Sequence, residues 1–163
     1  MSTGPRIVFT RFASGDSPKL TPWLAHLRRT ASGLGEPTVA IHDSLRAGAI
    51  VWQLVSANNR ELARGADIHG TFEDALSSAQ GLVASAAMLD VRLVTDRLHG
   101  HFGWFATNSE IPAVVCARWY TTERDRRHSI ELAIASIGRA ELRAGARLMH
   151  PALMEGSPEP FPA

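Results

Sequence analysis

Residues 50–64, with the sequence IVWQLVSANNRELAR, carry the pattern from which we predict the fold. A β-branched and aromatic run leads into Asn58-Asn59, residue types that tolerate the left-handed backbone of a tight turn, and a short return strand follows. Residues 102–117, FGWFATNSEIPAVVCA, repeat this plan around a turn at Asn108-Ser109. Parallel pairing would need a crossover of about a dozen residues or more, so these short spacings predict antiparallel hairpins.

Three short correspondences indicate an internal repeat of about fifty residues. Any one of them alone would be at the level of chance, but they share one order and a nearly constant offset. They are Asp43-Ser44-Leu45 with Asp96-Arg97-Leu98 at a spacing of 53, Ala57-Asn58-Asn59 with Thr107-Asn108-Ser109 at a spacing of 50, and Thr71-Phe72-Glu73-Asp74 with Thr122-Glu123-Arg124-Asp125 at a spacing of 51.

Each repeat ends in a helix whose start and apolar face are visible in the sequence. Thr71 and Thr122 precede Asp74 and Asp125 by three residues, which is close to a capping box with Asp in place of Glu. Apolar residues then recur at helical spacing and predict one buried stripe on each helix. The stripes are Phe72, Ala75, Leu76, Ala79, Leu82, Val83 and Ala86, and Ile130, Ala133, Ile134, Ile137 and Ala140.

The sequence therefore predicts an α+β fold with two layers. Two tandem β-β-β-α repeats would build one largely antiparallel sheet with the helices on one face, after an N-terminal strand–helix extension. The C-terminal segment is rich in Pro, Gly and Glu, which is typical of a flexible tail. The predicted divisions are residues 1–37 for the extension, 38–88 for repeat 1, 89–143 for repeat 2 and 144–163 for the tail.

The first strands of the two repeats are predicted at residues 38–42 and 91–95, which are β-branched runs ahead of each hairpin. In the extension, residues 7–12 indicate a strand, and Thr21-Pro22 indicates a helix start with Pro at the first helical position. Because Thr21 lies 50 residues before Thr71, the extension could be a truncated repeat.

The composition fits one domain of ordinary size. Its 163 residues are 45% hydrophobic and carry a net charge of +1, which excludes a strong uniform field for nucleic acid or acidic membranes. Cys116 is the single cysteine, so no internal disulfide can form and a reducing, cytoplasmic location is expected. We expect no secretion signal and no membrane span, because residues 1–11 lack an apolar core and no long apolar run follows.

The repeat has a recognisable pattern of a strand with Trp-x-Leu-x-x-Ala-Asn, a return strand and a Thr-capped helix. It is carried by Trp52, Leu54, Ala57, Asn58, Ile68, Thr71 and Ala75, and by Trp104, Thr107, Asn108, Tyr120, Thr122 and Ile130. Over residues 38–142 this pattern resembles the tandem small repeats of the YegP-like family, bacterial domains of unknown function. The family's turn usually carries Asn-Gly, where this chain has Asn-Asn and Asn-Ser. The resemblance implies one antiparallel sheet with helices on one face, and it implies no catalytic residue.

Asp96, His99 and His101 form the sharpest metal-like cluster. If the two histidines lay on one strand they would share a face, and a nearby carboxylate could complete a three-ligand site with an open position. Gly100 lies between the histidines, and the segment is more typical of a polar hairpin turn. We assign no metal, no cofactor and no catalytic residue, and keep a metal-dependent enzyme using His99 and His101 as the second alternative function.

An arginine–aromatic cluster gives single-stranded nucleic-acid binding as the first alternative. Its cations could neutralise phosphates and its rings could stack on bases. Glu123 and Asp125 interrupt the cluster, and such mixed charge is more typical of a solvated helix face. The cluster contains Arg118, Trp119, Tyr120, Arg124, Arg126 and Arg127.

We expect a non-enzymatic module that binds a protein partner or a second copy of itself. The sequence contains no Gly-x-Ser-x-Gly, no His-Glu-x-x-His and no glycine-rich phosphate loop, so nothing in it supports an enzyme. A sheet with helices on one side leaves its other face open, and an unpaired edge strand can accept another strand.

Overall fold

The structure, a computed structural model, describes residues 4–13, 17–31 and 48–148 of the chain. These residues form seven strands and three α-helices. In chain order the elements are β1 (Arg6–Phe12), α1 (Leu20–Thr30), β2 (Ala49–Val55), β3 (Glu61–Gly65), α2 (Phe72–Ala84), β4 (Asp90–Asp96), β5 (His101–Asn108), β6 (Ile111–Cys116), α3 (Glu123–Ile137) and β7 (Glu141–Leu148).

All seven strands belong to one sheet with the order β4-β5-β6-β3-β2-β1-β7. Neighbouring strands are antiparallel, apart from β1 and β7, which run parallel. The α+β class and the largely antiparallel sheet that the sequence predicts are therefore confirmed. The pairing of β3 with β6 places the two hairpins side by side at the centre of the sheet.

The two hairpin turns use the left-handed backbone that their sequences predict. Asn59 has a φ of 65°, and Ser109 and Glu110 have φ values of 51° and 69°. Ser109 and Glu110 are the two residues between β5 and β6, and positive φ at both central residues is the type I′ geometry. This turn twists in the same sense as the strands it joins, so it fixes the register of the second hairpin.

β1 takes the place beside β2 that the sequence analysis gave to residues 38–42. It pairs with β2 along its whole length, from Arg6 opposite Val55 to Phe12 opposite Ala49. Residues 38–42, and the predicted match of residues 43–45 with 96–98, lie outside the described residues. The predicted N-terminal extension is thus part of the sheet, because alternate residues of β1 such as Ile7 and Phe9 are buried in the main core.

Helices cover both faces of the sheet, which corrects the predicted one-sided arrangement. α2 and α3 pack on the face that carries Trp52 and Trp104. α1 packs on the opposite face, where Trp23, Leu24 and Leu27 meet Phe105 and Val115. Successive residues of a strand point to opposite faces, so the central strands are buried on both sides. The open sheet face that we expected for a partner is therefore at least partly occupied by α1.

The helix starts agree with the predicted caps at two of three positions. Thr71 Oγ1 accepts a hydrogen bond from Asp74 N at 3.1 Å, and Thr122 Oγ1 accepts one from Asp125 N at 3.0 Å. α1 differs, since its N-cap is Lys19, which makes no side-chain cap bond. Thr21 therefore lies inside the first turn of α1 and does not cap it as Thr71 and Thr122 cap their helices.

Candidate functional site

The predicted metal cluster is organised around an arginine from α1. Asp96 Oδ2 accepts a hydrogen bond from Arg29 Nη2 at 3.0 Å and lies 2.9 Å from His99 Nδ1. The same Arg29 nitrogen lies 3.2 Å from His101 Nδ1. The hydrogen bond with His99, followed by that from Arg29, lowers the pKa of Asp96 to about 2. A guanidinium therefore occupies the position that a cation would need. Within the described ranges, no three His, Cys, Asp or Glu side chains are grouped as metal ligands.

The six residues of the predicted nucleic-acid cluster do not share one surface. Trp119 lies on the α1 side, where its Nε1 donates to Thr30 Oγ1 at 3.3 Å and the Arg29 guanidinium covers its ring at 4.1 Å. Tyr120 lies on the opposite side against α3. The indole of Trp119 is therefore not available as a stacking platform beside Tyr120.

Arg126 is a structural residue, which corrects its place in that cluster. It is 6% exposed, donates to Val94 O at 3.2 Å and to Thr95 Oγ1 at 3.3 Å, and lies 5.2 Å from the Phe102 ring centroid. These contacts attach α3 to β4. Arg124 and Arg127 are exposed on α3, so the cluster reduces to two surface arginines there and to Arg118, which is exposed between β6 and α3.

Cys116 is buried within β6, as the surrounding apolar run predicts. Burial raises the pKa of its thiol to about 11, so at neutral pH the residue is a thiol and a poor nucleophile. Its Sγ accepts a weak hydrogen bond from Trp104 N at 3.5 Å. This cysteine contributes packing in the core.

A cavity of about 280 Å³ opens between the start of β3, the residues that follow β6, and α3. The pairing of β3 with β6 brings these distant segments together, since Arg60 and Arg118 are 58 positions apart in the chain. The cavity was not predicted from the sequence. Its polar lining includes Arg60, Glu61, Arg118, Tyr120, His128 and Ser129.

The cavity is built against a half-buried hydrogen-bond network. Trp104 Nε1 donates to Ser129 Oγ at 3.0 Å, and Tyr120 Oη lies 2.7 Å from the same oxygen. Trp104 is fully buried, so the indole fixes the position of the serine hydroxyl. Burial raises the pKa of the Tyr120 hydroxyl, which is therefore protonated at neutral pH and able to donate.

In the first half of the sheet, His69 lies at the position that Tyr120 occupies in the second. Phe102 and Tyr120 exchange two backbone hydrogen bonds of 2.8 Å, and Ile50 and His69 exchange two of 2.7 and 2.9 Å. Ile68 in the first repeat pattern and Tyr120 in the second are therefore not structural counterparts, since His69 makes the bridge that corresponds to that of Tyr120. Two buried nitrogens near this place, Trp52 Nε1 and His69 Nε2, have no hydrogen-bond partner in the described part of the chain.

β4 forms one edge of the described sheet, with β5 as its single neighbour there. Leu93, at the centre of β4, is 62% exposed, and Met88 and Leu98 on either side of the strand are more exposed still. β1 holds the corresponding place beside the other hairpin, but β7 pairs along its outer edge. Phe9 of β1 is buried, and its ring centroid lies 5.1 Å from that of Phe72. The two edge strands of the described sheet are therefore β4 and β7, and β4 is the one with a large exposed apolar side chain at its centre.

Comparison of the chain with protein-family models, with curated proteins and with solved structures gives no match. None of the helices among residues 4–13, 17–31 and 48–148 combines the length and the apolar character that crossing a membrane requires.

Proposed function

We propose that the protein is a non-enzymatic interaction module in which two copies pair through their β4 edges. The observation that carries the proposal is a seven-residue strand whose outer edge has no strand partner among the described residues, with an exposed leucine at its centre. Unpaired backbone N–H and C=O groups on such an edge can form a ladder with another strand. Burying Leu93 against a second copy would add apolar contact to that ladder.

Antiparallel pairing about a two-fold axis suits the charges along β4. Arg92 lies between Asp90 and Asp96 on one face of the strand, because residues two apart share a face. A two-fold axis beside Val94 places Arg92 opposite Asp96 of the second copy, and an axis beside Val91 places it opposite Asp90. Opposite charges across a strand pair stabilise it and like charges oppose it, so these two registers are favoured. Each interface is self-complementary, as two-fold symmetry requires.

We further propose that the chain arose by duplication of a β-β-β-α unit, as the resemblance to the YegP-like family implies. The orders β1-β2-β3-α2 and β4-β5-β6-α3 support this, with α1 inserted after β1. The paired threonine caps and the paired bridges of His69 and Tyr120 give further support. On this view β4 is the counterpart of β1. In the first unit β7 pairs with the outer edge of β1, and in the second unit the outer edge of β4 is available to a partner.

Sedimentation equilibrium over a range of protein concentrations tests the proposed pairing. We expect the wild-type chain to dimerise reversibly and Leu93→Lys to be monomeric, because the lysine places a charge at the centre of the interface. Ile111→Lys is the matched control, since Ile111 is 67% exposed and lies at the start of β6, away from the β4 edge. A monomeric wild-type chain at every concentration, or a Leu93→Lys variant that dimerises as well as the control, would overturn the proposal.

A further inference from the structure

We propose that the cavity beside Tyr120 binds a small monocarboxylate that carries an apolar body. This site is separate from the β4 edge, because no residue of β4 lines the cavity. Binding to it can therefore be measured in a monomer, whether or not the proposed strand pairing occurs. Three features of the lining lead to this class of ligand: a spare hydroxyl proton, two arginines and an apolar wall.

The spare proton follows from counting donors in the network around Ser129. Trp104 supplies one N–H, and Tyr120 and Ser129 supply one O–H each, which makes three protons. The Trp104 bond uses one proton, and the contact between the two hydroxyls uses one more. One hydroxyl proton is left with no acceptor in the described structure. Because Tyr120 and Ser129 both line the cavity, we infer that this proton is available to an oxygen atom of a ligand there.

Two arginines supply the positive charge. The Arg60 and Arg118 side chains line the cavity and have no hydrogen-bond or ion-pair partner in the described part of the chain. Both lie near enough to Tyr120 to act on its hydroxyl electrostatically. Guanidinium groups bind carboxylates through parallel N–H donors, which makes these two arginines suitable for a carboxylate head.

The acidic residues of the lining limit the charge of the ligand. Glu61 is engaged by Arg64, whose Nη2 lies 3.1 Å from Glu61 Oε1, and by Gln53. Asp125 also lines the cavity, and its negative charge offsets the positive charge of one of the two arginines. The positive charge that remains fits a monoanion better than a phosphate dianion, because a second negative charge would face Asp125 without a counter-ion.

The apolar part of the lining and the size of the cavity set the rest of the ligand. Leu62 and Leu132 contribute apolar surface beside the charged groups. A volume of about 280 Å³ is slightly below the range of roughly 300–1,000 Å³ that is usual for drug-sized ligands. A ring or short aliphatic body joined to one carboxylate therefore matches the cavity, with its head at Arg60 and Arg118.

Titration of the Leu93→Lys chain, followed by the indole N–H signals in two-dimensional NMR, tests this site. The probes are benzoate, its neutral isostere benzamide, and inorganic phosphate. Benzoate should shift the Trp104 indole signal in a saturable way, since that N–H is bonded to Ser129 in the cavity. Benzamide and phosphate should bind at least about tenfold more weakly, because one lacks the charge and the other lacks the apolar body. Trp104→Phe assigns the signal.

Three variants locate the binding. The double change Arg60→Gln, Arg118→Gln should weaken benzoate binding by about tenfold or more, and Tyr120→Phe should weaken it by a smaller factor. Arg124→Gln, an exposed arginine of α3 outside the cavity lining, is the control and should leave the affinity unchanged. Thermal melts confirm that each variant is folded. The absence of a saturable shift up to about 20 mM benzoate would overturn the proposal. So would equal binding of benzamide, tighter binding of phosphate, or no effect of the double arginine change.

Discussion

The surroundings of Trp52 and Trp104 differ although the two tryptophans occupy corresponding positions in the two halves of the sheet. Trp104 Nε1 is bonded to Ser129, and Trp52 Nε1 is buried with no partner in the described residues. The pairing of β2 with β3 aligns Trp52 with Gly65, and the pairing of β5 with β6 aligns Trp104 with Cys116. A Cβ on Gly65 would lie 2.6 to 2.7 Å from the Trp52 ring atoms Cε2 and Nε1, so the indole rests on the glycine. Because Gly65 has no side chain, the Trp52 indole can lie against β3, with its Nε1 beside the glycine.

The ionisable residues at corresponding places in the two halves also differ. His69 in the first half corresponds to Tyr120 in the second, and Asp67 then corresponds to Arg118. Burial raises the pKa of Asp67 and lowers the pKa of His69, so both groups are pushed toward their neutral forms. The first half thus has an acidic residue and a histidine where the second half has an arginine and a tyrosine. A shared backbone plan therefore does not give the two halves the same binding chemistry.

The largest effect is expected for Gly65→Ala. The new methyl group would overlap the Trp52 indole, and overpacking of a buried contact costs about 1–3 kcal/mol. Gly81→Ala is the matched control, because a Cβ there meets no atom within 4 Å and the site lies inside α2. This control should stabilise the chain by up to about 1 kcal/mol, since alanine favours the helix. Urea denaturation measures both free energies of unfolding. Equal free energies for the two variants would show that Trp52 does not depend on the glycine.

A smaller effect separates the two tryptophans themselves. Trp104→Phe and Trp52→Phe remove the same atoms from buried sites, but only the first breaks a hydrogen bond. A hydrogen bond contributes about 0.5–1.5 kcal/mol net, whereas deleting an unpaired buried donor removes a cost of about 1–3 kcal/mol. We therefore expect Trp104→Phe to be the more destabilising by about 1 kcal/mol in urea denaturation. A larger loss for Trp52→Phe would mean that its indole nitrogen has a partner after all.

The smallest effect is expected for the pH dependence of stability that His69 causes in the first half of the sheet. Burial lowers the pKa of His69 below that of the unfolded chain, so the stability linked to its neutral form is present above about pH 6.5. That stability is lost as the pH falls through the lowered pKa. His69→Gln should therefore reduce the drop in thermal midpoint between about pH 7 and pH 5, whereas Tyr120→Phe should not change it. A pH dependence that is identical in wild type and His69→Gln would contradict the assignment.

The parts of the fold that the sequence predicted are those set by neighbouring residues. Asn58-Asn59 and Asn108-Ser109 mark the hairpin turns through their backbone preferences, and Thr71 and Thr122 mark the helix starts through their caps. The place of β1 was missed because residues 6–12 pair with residues 49–55, about forty positions away, and no local signal records that distance. The covering of the second face by α1 was missed for the same reason.

The candidate sites were harder to predict than the hairpins. Tyr120 was singled out for stacking on bases, yet its ring and hydroxyl line a cavity whose other side comes from Arg60 on the preceding hairpin. The sequence placed Arg126 on a surface, but its guanidinium is buried under contacts to β4 that depend on the packing of α3. Only the edge strand could be anticipated, because any open sheet must end in one.

Hydrogen–deuterium exchange at the amides of β1 and β4 tests the proposed pairing through β4. The amides of β1 lie between β2 and β7, so their protection should be the same at about 5 µM and about 200 µM chain. The outward amides of β4 should exchange quickly at the lower concentration and become protected at the higher one, and Leu93→Lys should abolish this change. Exchange from β4 that is fast and identical at both concentrations would contradict the account.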